Sequence, residues 1–145
     1  MARPSEYENL LKVGSFKEAA SSKESVKQFM QNAQELLAAS KVGLGASPQF
    51  LLAYEGMFNV VMAVLEFHEV RPGDAGGHRS TAIGRVAADL GLAPAKQSAL
   101  IRLHDARNRV TYRKPVPPVT NSDADAMRSI LDDMHSAARA LIGSL

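Results

Sequence analysis

The run from Pro48 to Glu69 constrains the fold most. Phe50, Leu51, Leu52, Tyr54, Met57, Phe58, Val60, Val61, Met62, Val64, Leu65 and Phe67 leave it apolar nearly all round. A helix without a polar face has to be surrounded, so the pattern predicts a central helix enclosed by others. Ser47 as N-cap and Pro48 at the first helical position would start it, after a break at Gly43-Leu-Gly45. The apolar stretch Met57 to Leu65 is interrupted by Asn59 and falls short of the ~20 residues that span a bilayer.

The flanking segments supply the enclosing helices. From about Ser22 to Ala39, residues Val26, Phe29, Met30, Ala33, Leu36 and Leu37 recur at spacings of 3 and 4, which makes an outer amphipathic helix. Ser15-Phe-Lys-Glu18 and Ser21-Ser-Lys-Glu24 have the Ser-x-x-Glu form of a capping box, so a short turn is expected ahead of that helix. Arg71-Pro-Gly-Asp-Ala-Gly-Gly-His78 reads as a loop, followed by a shorter helix from about Arg79 to Leu90 that Gly91 ends. Pro94 opens a fourth helix, and Pro115, Pro117 and Pro118 close it. Asn121-Ser-Asp-Ala-Asp125 caps a last helix with Ala126, Ile130, Met134, Ala137, Ala138 and Leu141 on one side. No period-2 strand of useful length appears. The expectation is an all-α fold, an up-and-down four-helix bundle with one additional short helix. At 145 residues and 46% hydrophobic content, one domain over residues 1–145 is expected, with residues 1–21 packing on the bundle as a lead-in.

Composition narrows the chemistry. No cysteine is present, which excludes disulfides and thiolate metal sites, and His68, His78, His104 and His135 include no i, i+4 pair. Neither a metal nor a cofactor is expected. The N-terminus lacks the hydrophobic region of a signal peptide, so a soluble, cytoplasmic protein with no membrane partner is expected. A net charge of +2 is too small to argue for nucleic acid in bulk. Its placement says more: Arg102, Arg107, Arg109, Arg113 and Lys114 fall within thirteen residues that hold a single acid, Asp105. Basic residues at a helix C-terminus also complement its dipole, so a solvated helix end explains them equally well.

One of these cations is misplaced for a surface residue. Leu100, Leu103, Arg107 and Val110 share one helical face, which writes an arginine into a core seam. Such a charge needs a buried partner, a subunit interface or a ligand; a broken buried pair costs roughly 3 to 5 kcal/mol. The central helix offers Glu55 and Asn59, one turn apart, with Glu66 two turns beyond Asn59. Either Glu55 or Asn59 faces Arg107 with a charge-assisted hydrogen bond, or Arg107 lines a dimer cleft open to solvent.

The order of the apolar Tyr54 helix, a Gly-rich loop ending in Gly77-His78-Arg79, and Arg107-Asn108-x-x-x-Tyr112 resembles the HEPN superfamily (higher eukaryotes and prokaryotes nucleotide-binding). Asn9-Leu-Leu-Lys-Val-Gly-Ser-Phe-Lys17 is similar to the lead-in of some bacterial HEPN-like proteins. The resemblance implies a dimerising helical bundle, and in many members a metal-independent RNase of toxin-antitoxin or defence systems. Their Arg-x4-6-His motif lines a cleft at the dimer interface. Arg107 matches the motif arginine and Asn108 the polar residue after it. Tyr112, Arg113 and Lys114 occupy the positions of the histidine. A tyrosine, with a pKa near ~10, is a poor general base beside a histidine near ~6.5.

Other histidines are weaker substitutes. His104 lies one turn before Arg107 and Asn108 and is the candidate to stand in, although its neighbours Arg102 and Asp105 suit a surface residue. Arg71 with His78, and Arg128 with His135, also have Arg-x6-His spacing; the first falls in a loop, and the second reads as a solvated polar face flanking Asp132 and Asp133. His68 reads as an amphipathic edge residue. Tyr54 and Tyr112 suit base stacking or, more commonly, core packing. The expected functions are therefore an RNA-associated HEPN-like module with Arg102, Arg107, Arg109, Arg113 and Lys114 toward RNA, or a non-catalytic interaction module. The latter would act as a homodimer or as the partner of a toxin-antitoxin or nucleotidyltransferase protein. An unrelated bundle with Arg107 in a structural ion pair is the third expectation.

Overall fold

A computed structural model describes residues 3–143, so Met1 and Ala2 of the lead-in lie outside the described residues. The chain is all-α apart from one pair of short strands: α1 Ser5–Lys12, β1 Phe16–Glu18, α2 Lys23–Ser40, α3 Ala46–Phe67, β2 Val70–Pro72, α4 His78–Asp89, α5 Pro94–Tyr112 and α6 Asn121–Ile142. The apolar run is α3, and Phe50, Ala53, Tyr54, Met57, Val60, Val61, Val64 and Leu65 on it are fully buried. With 22 residues, α3 is long and apolar enough to cross a bilayer, contrary to the reading from its interrupted stretch, yet more than half of it is buried inside the protein.

Helices α2 and α6 pack along α3, and they close on it at Gly56. A β-carbon there would lie 2.7 Å from Leu131 Cδ2 and 3.3 Å from Leu36 Cβ. The glycine therefore sets how near the three helices approach. Arg128 on α6 donates to the Ser40 carbonyl at 3.0 Å and ties the end of α2 to the first half of α6. Helix α5 approaches α3 least closely of its neighbours, and the gap is filled by long side chains. That spacing makes room for the site.

Four local expectations change. Ser15 to Glu18 caps nothing: Phe16–Glu18 is a strand, paired antiparallel with Val70–Pro72 in the register Phe16↔Pro72, Lys17↔Arg71, Glu18↔Val70. Glu69, at φ 61°, turns the chain out of α3 into this pairing. Helix α1 was absent from the expected set; it exists because Tyr7 is driven into the core, edge-on to Phe16 at 5.3 Å and to His68 at 5.0 Å. Gly45, at φ 100°, rather than Ser47, precedes α3, which puts Pro48 at the third helical position, where its missing N–H is still without an intrahelical partner. Thr120 rather than Asn121 caps α6, its hydroxyl accepting from the Asp123 N–H at 3.1 Å while Asp123 accepts from the Thr120 N–H at 3.0 Å. Ser22 caps α2, accepting from the Ser25 N–H at 3.0 Å.

Candidate functional site

The α5 seam begins as expected and then opens. Leu100 and Leu103 are buried, whereas Arg107 and Val110 are half-buried. The Arg107 side chain, 11% exposed, reaches back toward α3. Its Cζ lies 4.7 Å from the centre of the Tyr54 ring and 5.3 Å from that of Tyr112. Nη2 is 3.4 Å from Glu55 Oε1, and Nη1 donates to Asn108 Oδ1 at 3.2 Å. Of the two acceptors expected on α3, Glu55 is the partner. Asn59 is not: it donates to the Glu55 carbonyl at 2.8 Å and accepts from Asn32 at 3.3 Å. The ion pair is a weak one, since its length is 3.4 Å and the Glu55 side chain is 46% exposed.

His104 is the larger correction. It is 4% exposed, on the buried side of α5, and not a surface residue. Its ring lies nearly parallel to Tyr54, 16° apart with centroids at 5.9 Å. Nδ1 is 2.9 Å from the Tyr54 hydroxyl and Nε2 is 3.2 Å from Asn108 Nδ2. Arginine has no acceptor, so Arg107 holds Asn108 Oδ1 toward itself and turns the Asn108 amide N–H toward His104. Nε2 must then accept, and Nδ1–H donates to Tyr54. The result is one directed chain, Arg107 to Asn108 to His104 to Tyr54.

Electrostatics holds that chain in one protonation state. Burial lowers the His104 pKa, with Arg79 and Arg107 adding to the effect against Asp105. Burial also raises the Tyr54 pKa, which Arg79 and Arg107 oppose. His104 is thus neutral at neutral pH, and its accepting nitrogen is occupied by Asn108. It has no lone pair directed at a substrate. The imidazole positions Asn108 and Tyr54 rather than acting as a general base.

Arg79 is a member of the site that the spacing arguments did not assign. The second residue of α4, it sits with its Cζ 3.9 Å above the Phe58 ring and close enough to shift both Tyr54 and His104. The remaining basic residues do not converge. Arg102 pairs with Asp123 at 3.4 Å, and Arg109 donates to the carbonyls of Lys114 at 3.2 Å and Pro117 at 2.8 Å, securing the chain after α5. Arg113 and Lys114 are exposed at the helix end next to Tyr112, itself 69% exposed.

Two of the other histidines are also buried, and His78 is half-buried. His135 is 8% exposed, so it does not belong to the solvated face, on which Asp132 and Asp133 do lie; His68 is 5% exposed and packs on Tyr7 and Phe67. Among the described residues no group of three or more His, Asp or Glu side chains is placed to hold a metal ion. No protein-family model matches the chain, and no curated protein is similar to it.

Proposed function

We propose that this chain is a HEPN-like protein, its α2, α3, α5 and α6 forming the up-and-down bundle, that associates with single-stranded RNA in a toxin-antitoxin or defence setting and binds without hydrolysing. The observation that carries this is the Arg107 guanidinium between the Tyr54 ring and the exposed Tyr112 ring, at 4.7 and 5.3 Å. Among the described residues, only two of its five N–H groups have partners, and both bonds are long. An RNA phosphate can take the others, with a base stacked on Tyr112 and the exposed Arg113 and Lys114 at the helix end open to neighbouring phosphates. Hydrolysis lacks a base, because His104 Nε2 already accepts from Asn108.

The test incubates the pure protein and its Arg107→Ala variant with total RNA in EDTA and follows both retention and cleavage. Retention without cleavage, lost in the variant, is expected. Cleavage that disappears in the variant would overturn the non-hydrolytic reading, and equal retention by both proteins would remove Arg107 from the site. A second reading, a homodimer or partner interface on the same helix, is favoured by Ile101 and Tyr112. These two exposed residues stand three turns apart on one face of α5, and Val116 is exposed just beyond it. A monomer by light scattering at 100 μM, roughly, with no added protein, would argue against self-association.

A further inference from the structure

A second concavity lies away from Arg107, between the first half of α2 and the last turns of α6. It encloses about 290 Å³. Lys27 and Gln34 from α2 and Arg139 from α6 supply polar walls, Met30 and Ile142 supply apolar ones, and the buried His135 closes one side. No acidic residue among the described residues lines it. Several arginines and lysines elsewhere have acids, such as Arg3 with Glu18, Arg85 with Asp89 and Arg102 with Asp123, while others, Arg79 and Arg109 among them, have none among the described residues. Neither Lys27 nor Arg139 has an ion-pair partner among the described residues.

Lys27 and Arg139 give the cleft a positive charge, which favours an anionic occupant. The cleft is at the lower end of the sizes that hold small molecules, and its mixture of apolar wall and few polar groups is the usual makeup of such sites. His135 is buried, so its ring is part of the wall. We infer that the α2–α6 cleft binds an amphipathic carboxylate, its carboxylate between Lys27 and Arg139 and its hydrocarbon part against Met30 and Ile142. Arginine favours carboxylate here because its planar fork donates to both oxygens. The inference is independent of RNA binding, which uses the α5 side of the molecule.

Octanoate is the probe, titrated into the full chain while the methyl resonances of Met30 and Ile142 are followed by NMR. Saturable shifts at both methyls are expected, with octan-1-ol and inorganic phosphate each binding at least about tenfold more weakly. Lys27→Gln and Arg139→Gln should each weaken octanoate by about tenfold, the loss of one charge-assisted contact. Both replace exposed side chains, and an unchanged far-UV circular dichroism spectrum shows that the fold is intact. Non-saturable shifts, equal binding of octan-1-ol or phosphate, or undiminished affinity in both variants would overturn the assignment.

Discussion

Tyr54→Phe removes one oxygen from the centre of the protein, and its cost follows from the directed chain. Tyr54 is fully buried and His104 is 4% exposed, so neither group can turn to water when the hydroxyl goes. The His104 Nδ1–H, which donates to that hydroxyl at 2.9 Å, loses its acceptor. An unpaired buried donor costs about 1–3 kcal/mol, partly offset because the phenol no longer has to be desolvated. A net loss of about 1–2 kcal/mol is expected, or about 3–8 °C in Tm at this chain length. Urea unfolding measures it, and a cycle with His104→Leu isolates the pair. In the His104→Leu background the same substitution should cost less by at least about 0.5 kcal/mol, since the partner is already absent. Equal cost in both backgrounds, or a Tyr54→Phe protein as stable as the parent, would refute the bond. Imidazole ¹⁵N shifts give a direct check: His104 should be neutral with its proton on Nδ1.

Arg107→Met should leave stability within about 1 kcal/mol of the parent. A weak pair to a half-exposed Glu55, one long bond to Asn108 and two ring contacts are set against the desolvation of a nearly buried guanidinium. The same protein should lose RNA retention, and a stability loss above about 3 kcal/mol in urea would show Arg107 to be structural instead. For His68, His104 and His135, burial lowers the folded-state pKa. The unfolded chain then binds protons near ~6.5 that the folded chain refuses, so their contribution is complete above that pH and is lost as pH falls through the folded values. The unfolding free energy from urea titration should therefore fall between pH 7.5 and 5.5, by at most about 1.4 kcal/mol per pH unit for each histidine; a constant value would contradict the burial of these rings. Gly56→Val should cost about 1–3 kcal/mol by overpacking against Leu36 and Leu131, and a neutral result in thermal unfolding would mean that α2 and α6 stand farther from α3 than described.

How far the chain could be read from its residues depended on the length of each signal. The 22 residues of α3 and the 18 of α2 carry several turns of periodicity, and those helices stand close to their expected bounds. The strands are three residues each, too short for any period, and their pairing joins positions more than fifty residues apart. A Ser-x-x-Glu at Ser15 is then indistinguishable from a cap. Within the site, the Arg107 anomaly is legible, and the acceptors open to it on α3 narrow to Glu55 or Asn59, because both follow from one helix facing another. His104 was legible too, had its position outweighed its neighbours: it stands four residues after Leu100 and one after Leu103, on the same buried stripe, whereas Arg102 and Asp105 point away. What periodicity cannot supply is the identity of a partner across the gap. Tyr54 reads as one more aromatic in an apolar helix, and only the wider spacing of α5 from α3 turns its hydroxyl into the end of a chain that starts at Arg107. That chain also leaves His104 unable to serve as a general base: its protonation state and its lone pair are both already committed inside the protein.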